Sequence, residues 1–340
     1  MVTEKMAVMG DQRKVYVEHY QNGKRDTLLL IHGGPGESCI TFGRLAEELG
    51  AYVDVVLVDQ RGVLRSERER DPSKITVRQV VSDFEEIRDQ LGLKRWAVLG
   101  HSFGGRVALS YAAWHPQSVK AMVLENPAID IGKALQGVLG RYHRLYGEMA
   151  GKYADAGEQA AKLKEALTSG DIQKKMAYMA QVPPRYRCIC FGNYVLDQES
   201  QALFQYPGFS AEEVDKCGEA MACMVRDREL GRDGYEILKE VNCPVLLFRD
   251  VADPMLSEEE AELLRGKGTE VQFQGGGHYL HLKEAKEMSV RIGKFLQGSE
   301  GKERQDRKAF TRKGRSSRPG KFLQGSEGKE QQDRRILNEG

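Results

Sequence analysis

Long apolar runs are missing from this sequence. Although 40% of its 340 residues are hydrophobic, no stretch approaches the roughly 20 residues needed to cross a bilayer, so a membrane span is not expected. The first residues, Met1 to Lys14, mix charges with isolated apolar side chains. They hold no continuous apolar h-region, which argues against a secretory leader and for a cytoplasmic location. Cysteine is also scarce, at six residues, too few in a chain this long for a disulfide scaffold. The one close pair, Cys188-Ile189-Cys190, lacks the wider spacing of a zinc pair and has no histidine nearby, so neither a metal nor another cofactor is expected. A charge excess of one sign is absent too, the formal net charge being +1. Residues 301–340 hold 12 Lys+Arg against 6 Asp+Glu, while residues 1–300 hold 39 against 44. A mixed-sign, hydrophobe-poor tail of this kind reads as disordered, and no nucleic-acid partner is expected. Within it, Gly293 to Glu303 recurs without change at Gly320 to Glu330. Two copies suggest a local duplication, because a repeat architecture needs three or more units.

What the chain does have is short strands alternating with helices. Lys14 to Tyr20 alternates in polarity and precedes the turn signal Asn22-Gly23, as an antiparallel edge strand would. Leu28–Ile31, Val53–Val58, Trp96–Leu99, Ala121–Leu124, Val245–Phe248 and Thr269–Phe273 are apolar or β-branched runs, mostly without alternation, as in strands covered on both faces. Between them, Thr76-Val77-Arg78-Gln79 has the form of a capping box, and Val77, Val80, Val81, Phe84, Ile87 and Leu91 make one apolar stripe that Gly92 ends. Leu282, Ala285, Met288, Ile292, Phe295 and Leu296 make another. The expected fold class is α/β with a mainly parallel sheet. Residues 1–126 and 241–297 form the two parts of the core, 127–240 an inserted helical cap, and 298–340 the basic tail. The cap holds 8 of 13 tyrosines and 5 of 11 methionines, apolar and adaptable material able to wall a pocket or simply to hold the cap on the core.

Gly100-His101-Ser102-Phe103-Gly104 follows the strand at Trp96–Leu99 and opens a helical segment that Pro116 stops. A serine between glycines at such a junction has the form of a nucleophile elbow. Placed at the positive end of a helix, its side chain would sit where negative charge is favoured; a plain helix N-cap is the alternative. Serine needs a base, and the base needs an orienting acid. His278, after Gly275-Gly276-Gly277, is the candidate base. His19, His101, His115, His143 and His281 read as structural, His281 at the opening of the final helix, and His32 as a loop organiser. Asp253, beyond the strand at Val245–Phe248, is the candidate acid by position and chain order, with Asp250 and Glu125 as competitors. His32-Gly33-Gly34-Pro35-Gly36 can bring backbone N–H groups close to a ligand, so Gly34 and Phe103 are the candidate oxyanion-hole donors.

From Val15 to Leu296 these motifs resemble the α/β-hydrolase superfamily. His32 to Gly36, Asp59-Gln60-Arg61-Gly62 with Ser66, and Arg95-Trp96 with Ser110-Tyr111-Ala112 and His115-Pro116 sharpen the resemblance toward the proline iminopeptidase branch. The resemblance implies an eight-stranded sheet with a helical cap, a triad of Ser102, Asp253 and His278, and release of N-terminal residues from peptides. His101 and Phe103 depart from the glycine and tryptophan usual in that branch and are commoner in esterases, lactonases and carbon–carbon bond hydrolases. Val63 and Leu64 stand where the branch has small residues. The branch holds its substrate ammonium with cap carboxylates, for which Glu148, Glu158, Glu199 and Glu219 are candidates. Dehalogenases and epoxide hydrolases resemble this fold but carry a carboxylate at the position of Ser102.

The expected function is cofactor-independent hydrolysis of a small ester, lactone or amide through an acyl-enzyme. A proline iminopeptidase-like aminopeptidase acting on short peptides is one alternative. A ligand-binding receptor of the same fold, with slow or no turnover, is another, because fold does not fix function. The sequence indicates no oligomeric state.

Overall fold

Strands β1 (Val2–Val8), β2 (Lys14–Tyr20), β3 (Thr27–Ile31), β4 (Asp54–Val58), β5 (Trp96–His101), β6 (Val119–Glu125), β7 (Val245–Asp250) and β8 (Gly268–Phe273) form one sheet in the order β1-β2-β4-β3-β5-β6-β7-β8. The structure, a computed structural model, describes residues 1–149, 165–181 and 198–298. β1 pairs antiparallel with β2, and β2 with β4; every later pairing is parallel. The unalternating runs have a direct explanation in this sheet. Along β3, Leu29 and Ile31 enter one apolar cluster while Leu28 and Leu30 enter the other, so both faces are covered and each of these side chains is apolar.

Helices α1 (Gly43–Leu49), α2 (Val77–Gln90) and α3 (Phe103–Trp114) cover those faces. Val77, Val80, Val81, Phe84 and Ile87 of α2 are all buried with the Leu29 face, alongside Val107 and Tyr111 of α3. α1 packs on the Leu28 face with the closing helical stretch 285–298, which buries Ala285, Met288, Ile292 and Leu296. Trp96 Nε1 donates to Tyr111 Oη (2.9 Å), which in turn donates to Glu85 Oε1 (2.5 Å), tying β5, α3 and α2 together through one chain that runs from the core to the half-buried Glu85.

Three local expectations change. Strand β1 was invisible to periodicity, because only Ala7 of its seven residues is buried and its other side chains carry no pattern. At the start of α2, Thr76 Oγ1 accepts the Gln79 N–H (3.1 Å), but the Gln79 amide turns to Asp83 Oδ1 (3.3 Å) instead of back to the cap, so only half of the capping box forms. His281 does not open the closing helix; it lies within a separate short helix, Leu280–Lys283, broken from the next one at Glu284.

After β6 the described residues up to β7 are helical or turn, including α4 (Ile131–Met149), Ile172–Gln181, Gln198–Leu203, Ala211–Met224 and Gly234–Glu240. Cys188, Cys190, Glu158 and the second copy of the duplicated segment lie outside the described residues. Four described cysteines, Cys39, Cys217, Cys223 and Cys243, are free thiols. Among the described residues, no helix is long and apolar enough to cross a membrane.

Candidate active site

Crowding sets the geometry of the turn between β5 and α3. A Cβ on Gly100 would stand 2.3 Å from Gly104 O, and one on Gly104 would stand 2.2 Å from Ile31 O, so neither position accepts a side chain. Between them Ser102 takes φ 53° and ψ −121°, a left-handed backbone that costs a non-glycine residue on the order of 1–3 kcal/mol. Three backbone bonds hold it there. Ser102 N–H donates to Glu125 O (3.0 Å), and Ser102 O accepts from Gly105 N–H and Ala128 N–H (both 2.9 Å). The side chain stands at the N-terminus of a 12-residue helix and makes no capping hydrogen bond. The N-cap alternative therefore does not describe it.

The loop after β8 comes to the same place because β6 and β7 hold it. Asp250 Oδ2 accepts N–H bonds from Gly276 (2.7 Å) and Gly277 (3.1 Å), while its Oδ1 accepts from Ala252 (2.9 Å). Asn126 Nδ2 donates to the carbonyls of Gly277 and His278, both at 3.0 Å. His278 thus arrives with its backbone fixed, and its ring lies 4.7 Å from that of His101, the residue before Ser102. Its Nδ1 meets Asp253 Oδ2 at 2.6 Å, with both side chains sealed from solvent. Burial alone would depress the imidazolium. The Asp253 charge and hydrogen bond outweigh it, so the His278 pKa is raised above its ordinary value. Asp253 Oδ1 is held by Met255 N–H (2.8 Å), which aims Oδ2 at the ring.

The two competing acids are occupied elsewhere. Asp250 braces both loops, as above. Glu125 accepts the backbone N–H of His281 (2.9 Å) and pairs with His281 Nδ1 (2.9 and 3.0 Å), making a second buried carboxylate–imidazole couple. Of the other histidines, His19 lies on β2 beside Gln21 (3.2 Å), His115 faces Glu85 (3.4 Å), and His143 is exposed on α4. His32 takes an N–H bond from Gln60 at Nε2 (3.0 Å), which leaves Nδ1 to donate to Gly33 O (3.1 Å), and burial lowers its pKa to about 4. It is a neutral loop organiser at neutral pH.

Gly34, with φ +108°, a value that favours glycine, and Phe103 line one small cavity of about 40 Å³. Phe103 is the first residue of α3, so its N–H has no partner within the helix. Ala128, Ile131, Leu135, Met176, Leu230 and Met255 are among the other lining residues, and no acidic side chain is among the described ones. Glu219 pairs with Arg68, Glu199 is exposed, and Glu148 lies on α4. Two residues that sequence reasoning passed over join the site. A Cβ on Gly33 would be 3.1 Å from each of Ser102 Cβ, His101 Cδ2 and Glu37 Oε2, so Glu37 and the serine both close on Gly33. Tyr279 Oη donates to Glu37 Oε1 (2.7 Å). A glutamate following Gly-Gly-Pro-Gly was the available signal.

A family model described as alpha/beta hydrolase fold matches residues 26–285. A proline iminopeptidase of Xylella fastidiosa is 35% identical over 119 residues, which is 35% of this chain and 38% of that protein. A proline iminopeptidase of Lactobacillus delbrueckii subsp. bulgaricus is 36% identical over 162 residues, 46% of this chain and 50% of that one. The chain thus matches half or less of the length of these curated relatives. In structure, it is similar to a proline iminopeptidase-related protein of Thermus thermophilus, with TM-score 0.64, 22% identity, and coverage of 87% of this chain and 98% of the other. At that identity the likeness is one of fold.

Proposed function

Because the chain belongs to the alpha/beta hydrolase fold family, we propose that it is a serine hydrolase that cleaves a small, uncharged ester, lactone or amide using its own side chains. Ser102 Oγ attacks the carbonyl carbon as His278 Nε2 takes its proton. The carbonyl becomes a tetrahedral oxyanion facing the N–H groups of Gly34 and Phe103. Asp253 holds Nδ1–H and offsets the imidazolium charge. His278 then passes the proton to the leaving oxygen or nitrogen, the carbon–leaving-group bond breaks, and an acyl-Ser102 remains. Water, deprotonated by the same imidazole, releases the acid and restores the serine.

One observation carries this reading: the His278–Asp253 couple is sealed from solvent at 2.6 Å, and its imidazole lies 4.7 Å from the ring of His101, the residue before a serine with a left-handed backbone. The apolar lining of the cavity next to Gly34 and Phe103 supports an uncharged acyl group. At roughly 10–15 Å³ per water-sized sphere, about 40 Å³ fits a short one. In this reading residues 127–240 are the cap, and its described residues Ala128, Ile131, Leu135, Met176 and Leu230 wall the cavity for that acyl group. A fluorophosphonate probe tests the proposal. It should label the native protein at Ser102 and leave Ser102→Ala unlabelled; an unlabelled wild type would remove the serine from the mechanism.

A second reading is favoured by the sequence identity to proline iminopeptidases, namely release of an N-terminal residue from a short peptide. Prolyl or alanyl anilides turned over well above acetyl or butyryl esters would establish it; the reverse order would leave the ester reading alone.

A further inference from the structure

Glu37 lies in the Gly-rich loop after β3, and Tyr279 follows His278 in the loop after β8, 242 residues apart in sequence. Their side chains meet in a hydrogen bond, Tyr279 Oη to Glu37 Oε1 at 2.7 Å. The Tyr279 ring is edge-on to the His278 ring (5.1 Å between centroids) and tilted against His101 (4.9 Å). From the cap, Phe204 packs edge-on against Tyr279 at 4.9 Å between centroids. Glu37 Oε2 is sealed from solvent and has no hydrogen-bond partner among the described residues. An acceptor left in that state costs on the order of 1–3 kcal/mol, an expense that packing alone does not explain.

We propose that Glu37 and Tyr279 are positioning residues, a link that holds the Gly34 donor loop in register with His278 and sets a second carboxylate beside the base. The inference rests on the serine-hydrolase reading above. Two of the groups that reaction needs, an N–H donor at Gly34 and an imidazole at His278, sit on separate loops, and their relative placement must hold to within a fraction of an ångström for turnover to be efficient. The Glu37–Tyr279 bond is a direct side-chain tie between those loops. Charge adds a second effect. Burial raises the Glu37 pKa, and the Tyr279 bond and the His278 charge pull against it; reciprocally, ionised Glu37 favours the protonated form of His278. Other groups facing His278 are Asp253 from the loop after β7, Glu125 from β6, His101 from β5 and Tyr279 on its own segment, while His281 packs on the far partners, His101 and Tyr279. His101 is kept neutral by burial and by its neighbours' positive charge, so it does not titrate with the base.

Substitutions at Glu37 separate the two effects. Glu37→Gln keeps an oxygen for Tyr279 but loses the charge, whereas Glu37→Asp keeps the charge but falls one methylene short of Tyr279. Tyr279→Phe removes the bond from the other side. In pH profiles of kcat/KM on a butyryl ester, Glu37→Gln should move the acid limb down by about half a unit or more. Glu37→Asp and Tyr279→Phe should lower the plateau about tenfold and move the limb less. A Glu37→Gln limb that coincides with wild type, or plateaus for the other two within twofold of wild type, overturns the proposal. Thermal unfolding of each variant identifies any that misfold, and the variants on the other loop then decide. Ser102→Ala separates the levels: full turnover without the serine refutes the mechanism itself, while an inactive Ser102→Ala beside a flat Glu37 series refutes only the link.

Discussion

Asp253→Asn changes one atom type and should be the most damaging conservative substitution in the protein. Asp253 uses both oxygens: Oδ1 accepts the Met255 N–H at 2.8 Å and Oδ2 meets His278 Nδ1 at 2.6 Å. An asparagine has one oxygen to offer. If it keeps Met255, its NH₂ faces His278 Nδ1, which must then be the unprotonated nitrogen, and Nε2 carries a proton where the serine needs an acceptor. If it flips, the tautomer survives, but the Met255 N–H meets a donor and a buried bond is lost at about 1–3 kcal/mol. In both orientations the imidazolium formed during attack loses its counter-ion in a site where burial already disfavours charge. In serine-protease triads the acid-to-amide change costs about 10⁴-fold in kcat, or roughly 5.5 kcal/mol. A loss of about 10³- to 10⁴-fold in kcat on a butyryl ester is expected here, with a circular dichroism spectrum close to wild type and, above the folded His278 pKa, an unfolding midpoint lowered by no more than the one lost bond. Steady-state kinetics with tight control of wild-type contamination would measure it. An Asp253→Asn enzyme within tenfold of wild type would show that His278 is oriented by something else.

Other expectations follow from the same geometry. Since the His278 pKa is raised and, in the proposed mechanism, only neutral imidazole accepts the serine proton, kcat/KM should fall as pH drops through a value above that of an ordinary imidazole. The sign for stability is opposite: the His278–Asp253 interaction contributes fully below the unfolded pKa and is lost as pH rises through the folded one. His32 behaves inversely, with its pKa lowered to about 4 from 6.5, so its stabilising contribution is present above pH 6.5 and disappears on acidification toward 4. That amounts to about 3 kcal/mol; urea melts of wild type and His32→Asn between pH 7 and 4 would reveal it, and parallel curves would contradict it. Gly104→Ala forces a Cβ to within 2.2 Å of Ile31 O and 2.7 Å of His32 O. Both are backbone atoms that cannot step aside, so a loss of about 3 kcal/mol or more is expected in chemical denaturation, and a wild-type midpoint would refute the crowding argument.

The parts of this molecule that were legible in its sequence are those fixed by local constraint. A strand covered on both faces must be apolar throughout, which is why Leu28 to Ile31 announces itself. A turn in which Gly100 and Gly104 touch backbone must carry glycines, which is why the elbow does. β1 escaped notice because its outer edge has no neighbour among the described strands and its side chains are mostly exposed, leaving composition free. Glu37 and Tyr279 escaped for a different reason. Each is ordinary where it stands, and their meaning comes from a contact across 242 positions that no periodicity encodes.

The three acids near the ends of β6 and β7 show how far chain order can carry such a reading. Glu125, Asp250 and Asp253 are all buried, and all accept strong hydrogen bonds, so neither burial nor bonding alone distinguishes a catalytic acid. Their partners do. Asp250 bonds to backbone N–H groups on both loops and so fixes where the imidazole stands. Glu125 meets an imidazole, but that of His281, three residues beyond His278 and beneath the elbow. Asp253 is the one of the three that meets His278 Nδ1, which in the proposed mechanism leaves Nε2 for the serine. The three roles require one another, because an imidazole aimed by Asp253 is useful only on a loop that Asp250 holds still, over a floor that Glu125 and His281 keep in place. Asp250→Asn should therefore also lower activity. Its effect should come with the larger drop in thermal stability, because either orientation of an amide there turns its NH₂ toward at least one backbone N–H, whereas Asp253→Asn loses at most the Met255 bond.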